Sequence, residues 1–330
     1  MTPKIEAEYR SGLETALRAG WEILDRGGSA MDAVETAVVS LEDFPLFNAG
    51  RGSVFTHDGK NEMDAAIMDG VGPHAGAVAF VRNVKNPIRL ARLVKEHTEH
   101  ILLAGEGAAQ FALQMGVEMA DDAYFFTEHR YEQLLRAREE GIIQLDHTAE
   151  EQEIIEEAVE HPPAGVLSTA ETVGRSATKA ETRPLGSVPG KNGKPLGTVG
   201  AVACDSEGRL AAATSTGGMT NKKFGRIGDT ALIGLGTYAD ETCAVSCTGH
   251  GEYFMLGVTA FDVAARMKYQ NLSLEDAAAA TMARLTSIGG EGGLVAVDAK
   301  GNVTLPFNSD GMYRGYVTSD LGLDVSIYQD

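Results

Sequence analysis

Residues 193–218 read GKPLGTVGAVACDSEGRLAAATSTGG, and the interpretation of the whole chain starts from this stretch. A loop rich in Gly, Lys and Pro runs into an apolar segment whose first residue is Thr198. A strand can begin with Thr simply because a β-branched side chain fits a pleated sheet. A nucleophilic hydroxyl could be placed in the same way, since the preceding Gly tolerates unusual backbone conformations. The stretch leaves both interpretations open.

From Thr198 onwards, the sequence has the composition of strands in a buried sheet. Strand-like runs occur at 198–205, 209–216, 231–239, 243–251 and 293–307. Several of them show little alternation between polar and apolar residues, which is typical of strands covered on both faces. We therefore predict sheets held between helix layers, an αββα four-layer sandwich of the α+β class in one structural domain.

Helices are predicted where apolar residues recur at helical spacing. Their ranges are 8–26, 86–97, 105–115, 128–140, 252–269 and 273–286. Ser29 and Ser273 are placed to cap the helices that follow them. In the helix at 128–140 we expect both Leu134 and Leu135 to face the core. Residues 65–68 and 77–81 are predicted to form two strands joined by a turn.

Composition and charge exclude several classes of partner. The 330 residues are 43% hydrophobic and carry a formal net charge of −19. That charge argues against nucleic acid and anionic membrane surfaces, because both attract basic proteins. No apolar run approaches a membrane span, and the N-terminal MTPKIEAEYR lacks the apolar core of a signal peptide. Three cysteines in apolar runs are expected to be buried free thiols, so we expect a cytoplasmic protein.

The segment 146–197 differs from the rest of the chain. It contains the acidic run EEQEIIEEAVEH and most of the remaining Pro and Gly. A loop of this length is uncommon inside a compact domain unless it is functional or disordered. We expect it to be an exposed, mobile connector.

Side chains that bind metal or phosphate do not form recognisable motifs. The eight histidines are scattered, and a solvated helix face explains the spacing of His97 and His100. No P-loop and no strand-linked dinucleotide motif is present. We therefore expect no cofactor for catalysis.

Three clusters combine Thr with Gly, at 196–200 (LGTVG), 214–221 (TSTGGMTN) and 246–252 (SCTGHGE). If their strands pair side by side, Thr198, Thr216 and Thr248 lie together at one sheet edge. Between the second and third clusters, the segment GRIGDT contains Arg226 and Asp229. An Arg and a carboxylate there would match the carboxylate and ammonium of an amino acid. A surface ion pair beside ordinary turns explains the same residues.

These motifs in this order resemble the plant-type L-asparaginase and isoaspartyl peptidase family of N-terminal nucleophile (Ntn) hydrolases. The resemblance also includes PLFNAGRGSVFT, EMDAAIMDG, NPIRLARLV and GEGAAQFA in the first half, and extends over nearly all the chain except the connector. It implies that the precursor cuts itself at Gly197–Thr198, leaving an α subunit (1–197) and a β subunit (198–330). The freed α-amine of Thr198 would then be the base for its own hydroxyl.

The resemblance also implies roles for individual residues. Thr216 would hydrogen-bond the nucleophile, and Thr248 with the Gly249 N–H would form the oxyanion hole. Among the substrate-binding positions, Arg226 would bind the α-carboxylate and Asp229 the α-ammonium. The remaining two positions are Gly251 and Asn48. Gly251 would shape the loop that contains SCTGHGE, and Asn48 would support the side of the site that holds the nucleophile Thr198.

The stretch LEDFPLFNAGR resembles the family's sodium loop. A structural Na⁺ would be held by main-chain carbonyls, which suit a hard cation, of Leu41, Glu42, Phe44, Phe47, Ala49 and Arg51. A Gly/Pro turn without an ion explains the same sequence. The family also implies self-association as (αβ)₂. Its usual N-terminal strand and His-Gly-Gly segment are absent here, because the sequence begins almost at the first helix.

The activity expected from the resemblance is hydrolysis of β-aspartyl (isoaspartyl) dipeptides and, less efficiently, of L-asparagine. Both present a β-carbonyl amide beside a free amino-acid head, which suits a small-molecule or dipeptide substrate. One alternative is a glycosylasparaginase-like amidase. Another is an uncleaved, inactive precursor or binding protein that lacks the first strand.

Overall fold

The computed structural model of the chain describes residues 1–143, 197–320 and 322–329. Apart from Gly197, the connector predicted at 146–197 lies outside the described residues. The described helices are α1 (Pro3–Asp25), α2 (Ala30–Glu42), α3 (Pro87–His97), α4 (Gly105–Gln114), α5 (Asp122–Phe125), α6 (Glu128–Glu139), α7 (Gly251–Gly257), α8 (Thr259–Gln270) and α9 (Leu274–Ser287). The described strands are β1 (Met63–Asp69), β2 (His74–Val81), β3 (Leu102–Ala104), β4 (Val199–Cys204), β5 (Leu210–Thr216), β6 (Thr237–Ala239), β7 (Cys243–Gly249), β8 (Gly292–Asp298), β9 (Val303–Thr304), β10 (Gly311–Thr318) and β11 (Gly322–Tyr328). Helices and sheets are thus combined, in agreement with the predicted α+β class.

Several helices begin as their sequences predict. The Ser29 hydroxyl accepts a hydrogen bond from the Asp32 N–H at 3.1 Å, and Ser273 accepts from the Asp276 N–H at 3.1 Å. Each hydroxyl satisfies one of the donors that the first turn of a helix leaves without a partner. Among the described helices, none is both long enough and apolar enough to cross a membrane.

Strands from both halves of the chain form a five-stranded sheet in the order β3-β2-β1-β5-β4. Neighbouring strands are antiparallel, except that β2 and β3 are parallel. Helix α2 packs on β4 and β5, and α3 packs on β1 and β2. Strand β5 is consequently buried along its whole length. The strand that the resemblance implies ahead of α1 is not among the described elements, and β4 forms one edge of the described sheet.

A second sheet has four antiparallel strands in the order β6-β7-β8-β9. Helix α8 packs on β7 and α9 packs on β8. The buried cluster between them includes Cys243, Cys247 and Phe254. All three cysteines are free, as predicted, although Cys204 is only partly buried.

The two sheets contact each other through small and hydroxyl-bearing side chains. The hydroxyls of Thr214 in β5 and Ser246 in β7 lie 2.8 Å apart. Thr237 in β6 donates to Thr214 at 2.7 Å. On β4, a Cβ atom added to Gly200 would lie 2.0 Å from Ser246 Oγ. These small residues let the ends of β4, β5 and β7 approach each other, and the functional site lies at those ends.

Some local predictions were wrong. The single helix predicted at 252–269 is two helices, because Val258 between them adopts a left-handed conformation with φ of 51°. Of the strand predicted at 231–239, only Thr237–Ala239 is a strand. Leu134 is buried but Leu135 is 45% exposed, since consecutive residues of a helix point about 100° apart. The hairpin of β10 and β11 was not predicted at all.

Candidate active site

The predicted nucleophile and its predicted partner lie side by side. Val199 pairs with Ser215 in the β4–β5 ladder, which places Thr198 beside Thr216. The Thr198 hydroxyl donates to Thr216 Oγ1 at 3.2 Å. Thr216 is buried, and its Oγ1 also accepts the Gly218 N–H at 3.0 Å. The second bond fixes the Thr216 hydroxyl in the orientation that meets Thr198.

The carbonyl before Thr198 is also held. The Asn48 N–H donates to the Gly197 carbonyl oxygen at 3.2 Å. Asn48 is itself fixed on three sides: Nδ2 donates to the Gly218 carbonyl at 2.7 Å, Oδ1 accepts the Val54 N–H at 3.0 Å, and its carbonyl accepts the Gly217 N–H at 3.0 Å. Asn48 therefore joins the loop after α2 to the loop after β5, and holds the peptide bond that precedes Thr198.

Thr248 lies in the other sheet, so the prediction that all three Thr residues share one sheet edge was wrong. Thr198 and Thr216 belong to the five-stranded sheet, whereas Thr248 lies at the end of β7. The Thr248 hydroxyl is buried and has no hydrogen-bond partner among the described residues. A buried hydroxyl without a partner costs about 1–3 kcal/mol, so such a group is normally satisfied by water or a ligand.

An open cleft connects the Thr198–Thr216 pair with Asn48 and with Gly249, the residue after Thr248. Its lining includes Gly197, Thr198, Thr216, Arg226, Asp229 and Gly249, together with Asn48, Gly218, Met219, Gly228 and Thr230. Gly249 cannot carry a side chain here, because a Cβ atom would lie 2.4 Å from the Phe254 ring and 2.5 Å from the Glu291 carbonyl. The close packing keeps the backbone at Gly249 against the cleft.

Arg226 and Asp229 both lie at the cleft, and they are not the surface ion pair that the sequence left open. Asp229 is buried, and its Oδ2 has no hydrogen-bond partner among the residues described. Burial raises the pKa of Asp229 to about 6, although the Arg226 charge acts in the opposite direction. A buried carboxylate oxygen without a donor is suited to bind an ammonium group.

At two glycines near this pair, the backbone packs closely against the charged groups. A Cβ atom on Gly251 would lie 2.8 Å from Arg226 Nη2 and 2.8 Å from Asp229 Oδ1. A Cβ atom on Gly228 would lie 2.9 Å from Arg226 Nη1. Side chains at these positions would therefore collide with the two charged groups.

Sequence reasoning missed two charged residues at the site. Glu252 accepts two hydrogen bonds from Arg226, and Lys222 is buried with its ammonium donating to the Glu62 carbonyl at 2.7 Å. Burial lowers the pKa of Lys222, with the charge of Asp64 opposing this shift. Glu252 is the last residue of the quoted motif SCTGHGE, and Lys222 directly follows TSTGGMTN. Neither spacing nor residue type shows which of these side chains turns inwards.

The residues of the predicted sodium loop surround the end of α2. The six positions are Leu41, Glu42, Phe44, Phe47, Ala49 and Arg51, of which Leu41, Glu42, Phe47 and Ala49 are buried. Gly50 has a positive φ of 50°, and a Cβ atom there would lie 2.5 Å from the Glu42 carbonyl. Neutral carbonyl oxygens are the type of ligand that suits a hard cation such as Na⁺, and those of Leu41, Phe47 and Ala49 already accept backbone N–H groups in this structure. No group of three His, Cys, Asp or Glu side chains with metal-binding geometry occurs in the described ranges.

Comparison with known proteins places the whole chain in one family. A model of the asparaginase family matches residues 1–327. The isoaspartyl peptidase of Escherichia coli strain K12 is 44% identical over 96% of this chain and 87% of its own length, and that of Salmonella typhimurium is 46% identical over 96% and 90%. The plant-type L-asparaginase of Thermococcus kodakarensis is 43% identical over 93% of this chain and 89% of its own length. With its paired threonines and its Arg and Asp at one cleft, the chain therefore belongs to the asparaginase family.

Proposed function

We propose that the protein is a self-processing threonine hydrolase that cleaves isoaspartyl dipeptides and, less efficiently, L-asparagine, and so releases L-aspartate. The observation that carries the proposal is the Thr198–Thr216 hydroxyl pair, which lies at the same cleft as Asp229. The buried Oδ2 of Asp229 has no partner among the described residues and suits an ammonium group. The buried hydroxyl of Thr248, the residue before the cleft-lining Gly249, also has no partner there and suits a developing oxyanion. Family membership and the relatives named for these activities support the same conclusion.

The layer order that we propose is αββα, as in Ntn hydrolases. Helices α2 and α3 pack on the five-stranded sheet, the two sheets contact each other, and α8 and α9 pack on the four-stranded sheet. A four-layer order explains why the apolar strands of both sheets lack alternation.

Maturation begins with attack of the Thr198 hydroxyl on the Gly197 carbonyl carbon. The peptide C–N bond breaks, an ester forms to Thr198 Oγ1, and the nitrogen takes a proton to become a free α-amine. Water then hydrolyses the ester and leaves Gly197 as a carboxylate. The Asn48 N–H at 3.2 Å from the Gly197 oxygen supports this step, because a donor there stabilises negative charge on that oxygen. The products are the segments 1–197 and 198–330.

Substrate hydrolysis uses the new terminus. An α-amine has a pKa of about 7.7–8.0, so a useful fraction is neutral near neutral pH and can take the Thr198 hydroxyl proton. The hydroxyl attacks the β-carbonyl carbon, while Thr248 Oγ1 and the Gly249 N–H stabilise the oxyanion. The amine of the substrate leaves with the proton, and water hydrolyses the acyl ester to release aspartate. Thr216 holds the nucleophile by its hydroxyl.

The amino-acid head of the substrate is recognised by charge. The Arg226 guanidinium binds the free α-carboxylate, and Asp229 binds the α-ammonium. Both side chains lie at the cleft, and side chains at Gly251 or Gly228 would collide with them. This pairing explains why isoaspartyl peptides and asparagine, which share that head, fit one site.

Three further features belong to the proposal. The sodium loop holds a structural Na⁺ through the six main-chain carbonyls, from Leu41 to Arg51, and catalysis itself uses no cofactor. The processed chain assembles as (αβ)₂ and works in the cytoplasm. The assembly and the location rest on the family resemblance.

Intact mass of the wild type beside Thr198→Ala tests the maturation step. We expect the wild type to yield segments 1–197 and 198–330, and the variant to stay whole. The processed protein is then assayed with a β-aspartyl dipeptide, L-asparagine and a glycosylated asparagine. Turnover of the glycosylated substrate in preference to the first two would replace the proposal with a glycosylasparaginase-like activity. A whole wild-type chain with no turnover would indicate the inactive precursor.

A further inference from the structure

The carboxylate of Glu252 occupies one edge of the Arg226 guanidinium. Arg226 Nε donates to Oε1 at 2.9 Å and Nη2 donates to Oε2 at 2.9 Å. This two-point geometry is the strongest arrangement between an Arg and a carboxylate, and it fixes the plane of the guanidinium. Within the described residues, no acceptor forms a hydrogen bond with the third nitrogen, Nη1.

That third nitrogen points into the cleft. A Cβ atom on Gly218 would lie 3.3 Å from Arg226 Nη1, and one on Gly228 would lie 2.9 Å from it. Both glycines line the cleft. The nitrogen that Glu252 leaves without an acceptor therefore lies between two glycines, where a ligand carboxylate can reach it.

Asp229 lies close to Arg226 but does not pair with it. Nη2 of Arg226 and Oδ1 of Asp229 each lie 2.8 Å from the position of a Cβ atom on Gly251, so the two groups are neighbours. They nevertheless form no salt bridge within 4.0 Å, and Asp229 Oδ2 stays without a partner. Arg226 is largely buried, and a buried guanidinium needs an opposite charge. Without Glu252, the nearest carboxylate to take that role is Asp229.

We propose that Glu252 is a positioning residue for substrate recognition. It holds Arg226 by the Nε–Nη2 edge, presents Nη1 to the free carboxylate of the substrate, and prevents Arg226 from neutralising Asp229. This inference rests on the proposed function, because it assigns the substrate head to Arg226 and Asp229. It predicts that Glu252 acts on substrate binding and not on the bond-breaking steps.

Glu252→Gln tests the role of the charge, since Gln keeps the size and one acceptor oxygen. We expect the KM for a β-aspartyl dipeptide to rise at least about tenfold, because a charge-assisted pair is lost, while kcat stays within about threefold. Self-cleavage at Gly197–Thr198 should be unchanged, because it involves no substrate carboxylate. Glu241→Gln is the matched control: Glu241 pairs with Lys268 at the exposed surface, so its loss should leave KM and kcat unchanged.

A substrate without the free carboxylate separates positioning from a general structural role. The diamide of L-aspartate keeps the α-ammonium and the β-amide but has no α-carboxylate. We expect its kcat/KM to be low in the wild type and to change little in Glu252→Gln. Equal losses with the dipeptide and the diamide, or an unchanged KM for the dipeptide, would overturn the inference.

Direct binding of L-aspartate distinguishes this inference from the proposed function. Calorimetric titration of the purified protein should show at least about tenfold weaker binding to Glu252→Gln than to the wild type or Glu241→Gln. If Glu252→Gln binds aspartate at least about tenfold more weakly than the wild type, but the wild type hydrolyses no substrate, the proposed function fails and the positioning role stands. If turnover is present but aspartate binds both proteins equally, only the positioning role fails.

Discussion

Gly200 and Ser246 lie where the two sheets meet, and a Cβ atom on Gly200 would be 2.0 Å from Ser246 Oγ. Gly200 is the second residue of β4, only two positions after Thr198. Ser246 is in β7, two positions before Thr248. The contact between these two residues therefore sets how closely the nucleophile and the opposite hydroxyl approach each other.

Substitution of this glycine should affect stability and maturation together. We expect Gly200→Ala to lower the free energy of unfolding by about 1–3 kcal/mol, because the added methyl group overpacks the contact between sheets. Thermal unfolding measures the loss, and intact mass over time measures the slower self-cleavage. Gly107→Ala is the control: a Cβ atom there has no neighbour within 4 Å, and Ala favours a helix. A wild-type melting temperature in Gly200→Ala would contradict the proposed closeness of the sheets.

Thr216 should matter for both activity and stability. Thr216→Val keeps the shape but removes the oxygen that accepts from Thr198 and from the Gly218 N–H. We expect kcat to fall by about 10²-fold, because the nucleophile loses its partner, with little change in KM. Stability should fall by about 1–3 kcal/mol, because the Gly218 N–H is left without an acceptor. A large rise in KM with unchanged kcat would place Thr216 in substrate binding instead.

Thr248 should show the opposite effect on stability. Its hydroxyl has no partner among the described residues, so Thr248→Val removes a buried polar group without breaking a hydrogen bond. We expect kcat to fall by about 10²–10³-fold through loss of an oxyanion donor, with an unchanged or higher melting temperature.

Thr281→Val is the control for this contrast between lost activity and unchanged stability. The Thr281 hydroxyl donates to Asp262 at 3.0 Å in a helix that does not line the cleft, so that substitution should lower stability and leave kcat unchanged. A loss of stability in Thr248→Val as large as that in Thr281→Val would show that the Thr248 hydroxyl is already satisfied.

The pH dependence should separate substrate binding from the chemical step. Burial raises the pKa of Asp229 to about 6, so the carboxylate that binds the substrate ammonium becomes protonated below that pH. We therefore expect KM to rise as pH falls through about 6. We expect kcat to fall as pH decreases through about 7.7–8.0, because the Thr198 amine becomes protonated there and no longer acts as the base. Initial rates from pH 5 to pH 9 measure both.

The stability of the folded protein depends on pH in the opposite direction to substrate binding. Because the folded-state pKa of Asp229 is above its ordinary value of 3.8, the folded protein binds more protons between about pH 4 and 6. Asp229 thus makes the folded state less stable as pH rises through that window. Asp229→Asn should remove this contribution, raise KM above about pH 6, where the wild-type carboxylate is charged, and flatten the pH profile of KM. A KM for the wild type that does not vary between pH 5 and 7 would contradict the assignment.

Local signals in the sequence determined much of this protein. The Ser29 and Ser273 caps are formed as predicted, and the strands predicted at 198–205 and 209–216 pair with each other. These features depend on backbone preferences and hydrogen bonds within a few residues. The ordered Thr–Gly motifs also identified the family, and the family match confirmed that identification.

Only the tertiary structure decided which side chains face each other. Thr248 belongs to a second sheet, in which the next residue, Gly249, lines the cleft. Glu252 binds Arg226 across 26 positions of the chain. No periodicity or propensity encodes such contacts, because they depend on how closely two sheets pack and on which buried charge finds a partner. Gly200 and Gly251 show the physical reason. At each glycine, a residue distant in the sequence packs where a side chain would otherwise lie, namely Ser246 at Gly200 and Arg226 at Gly251.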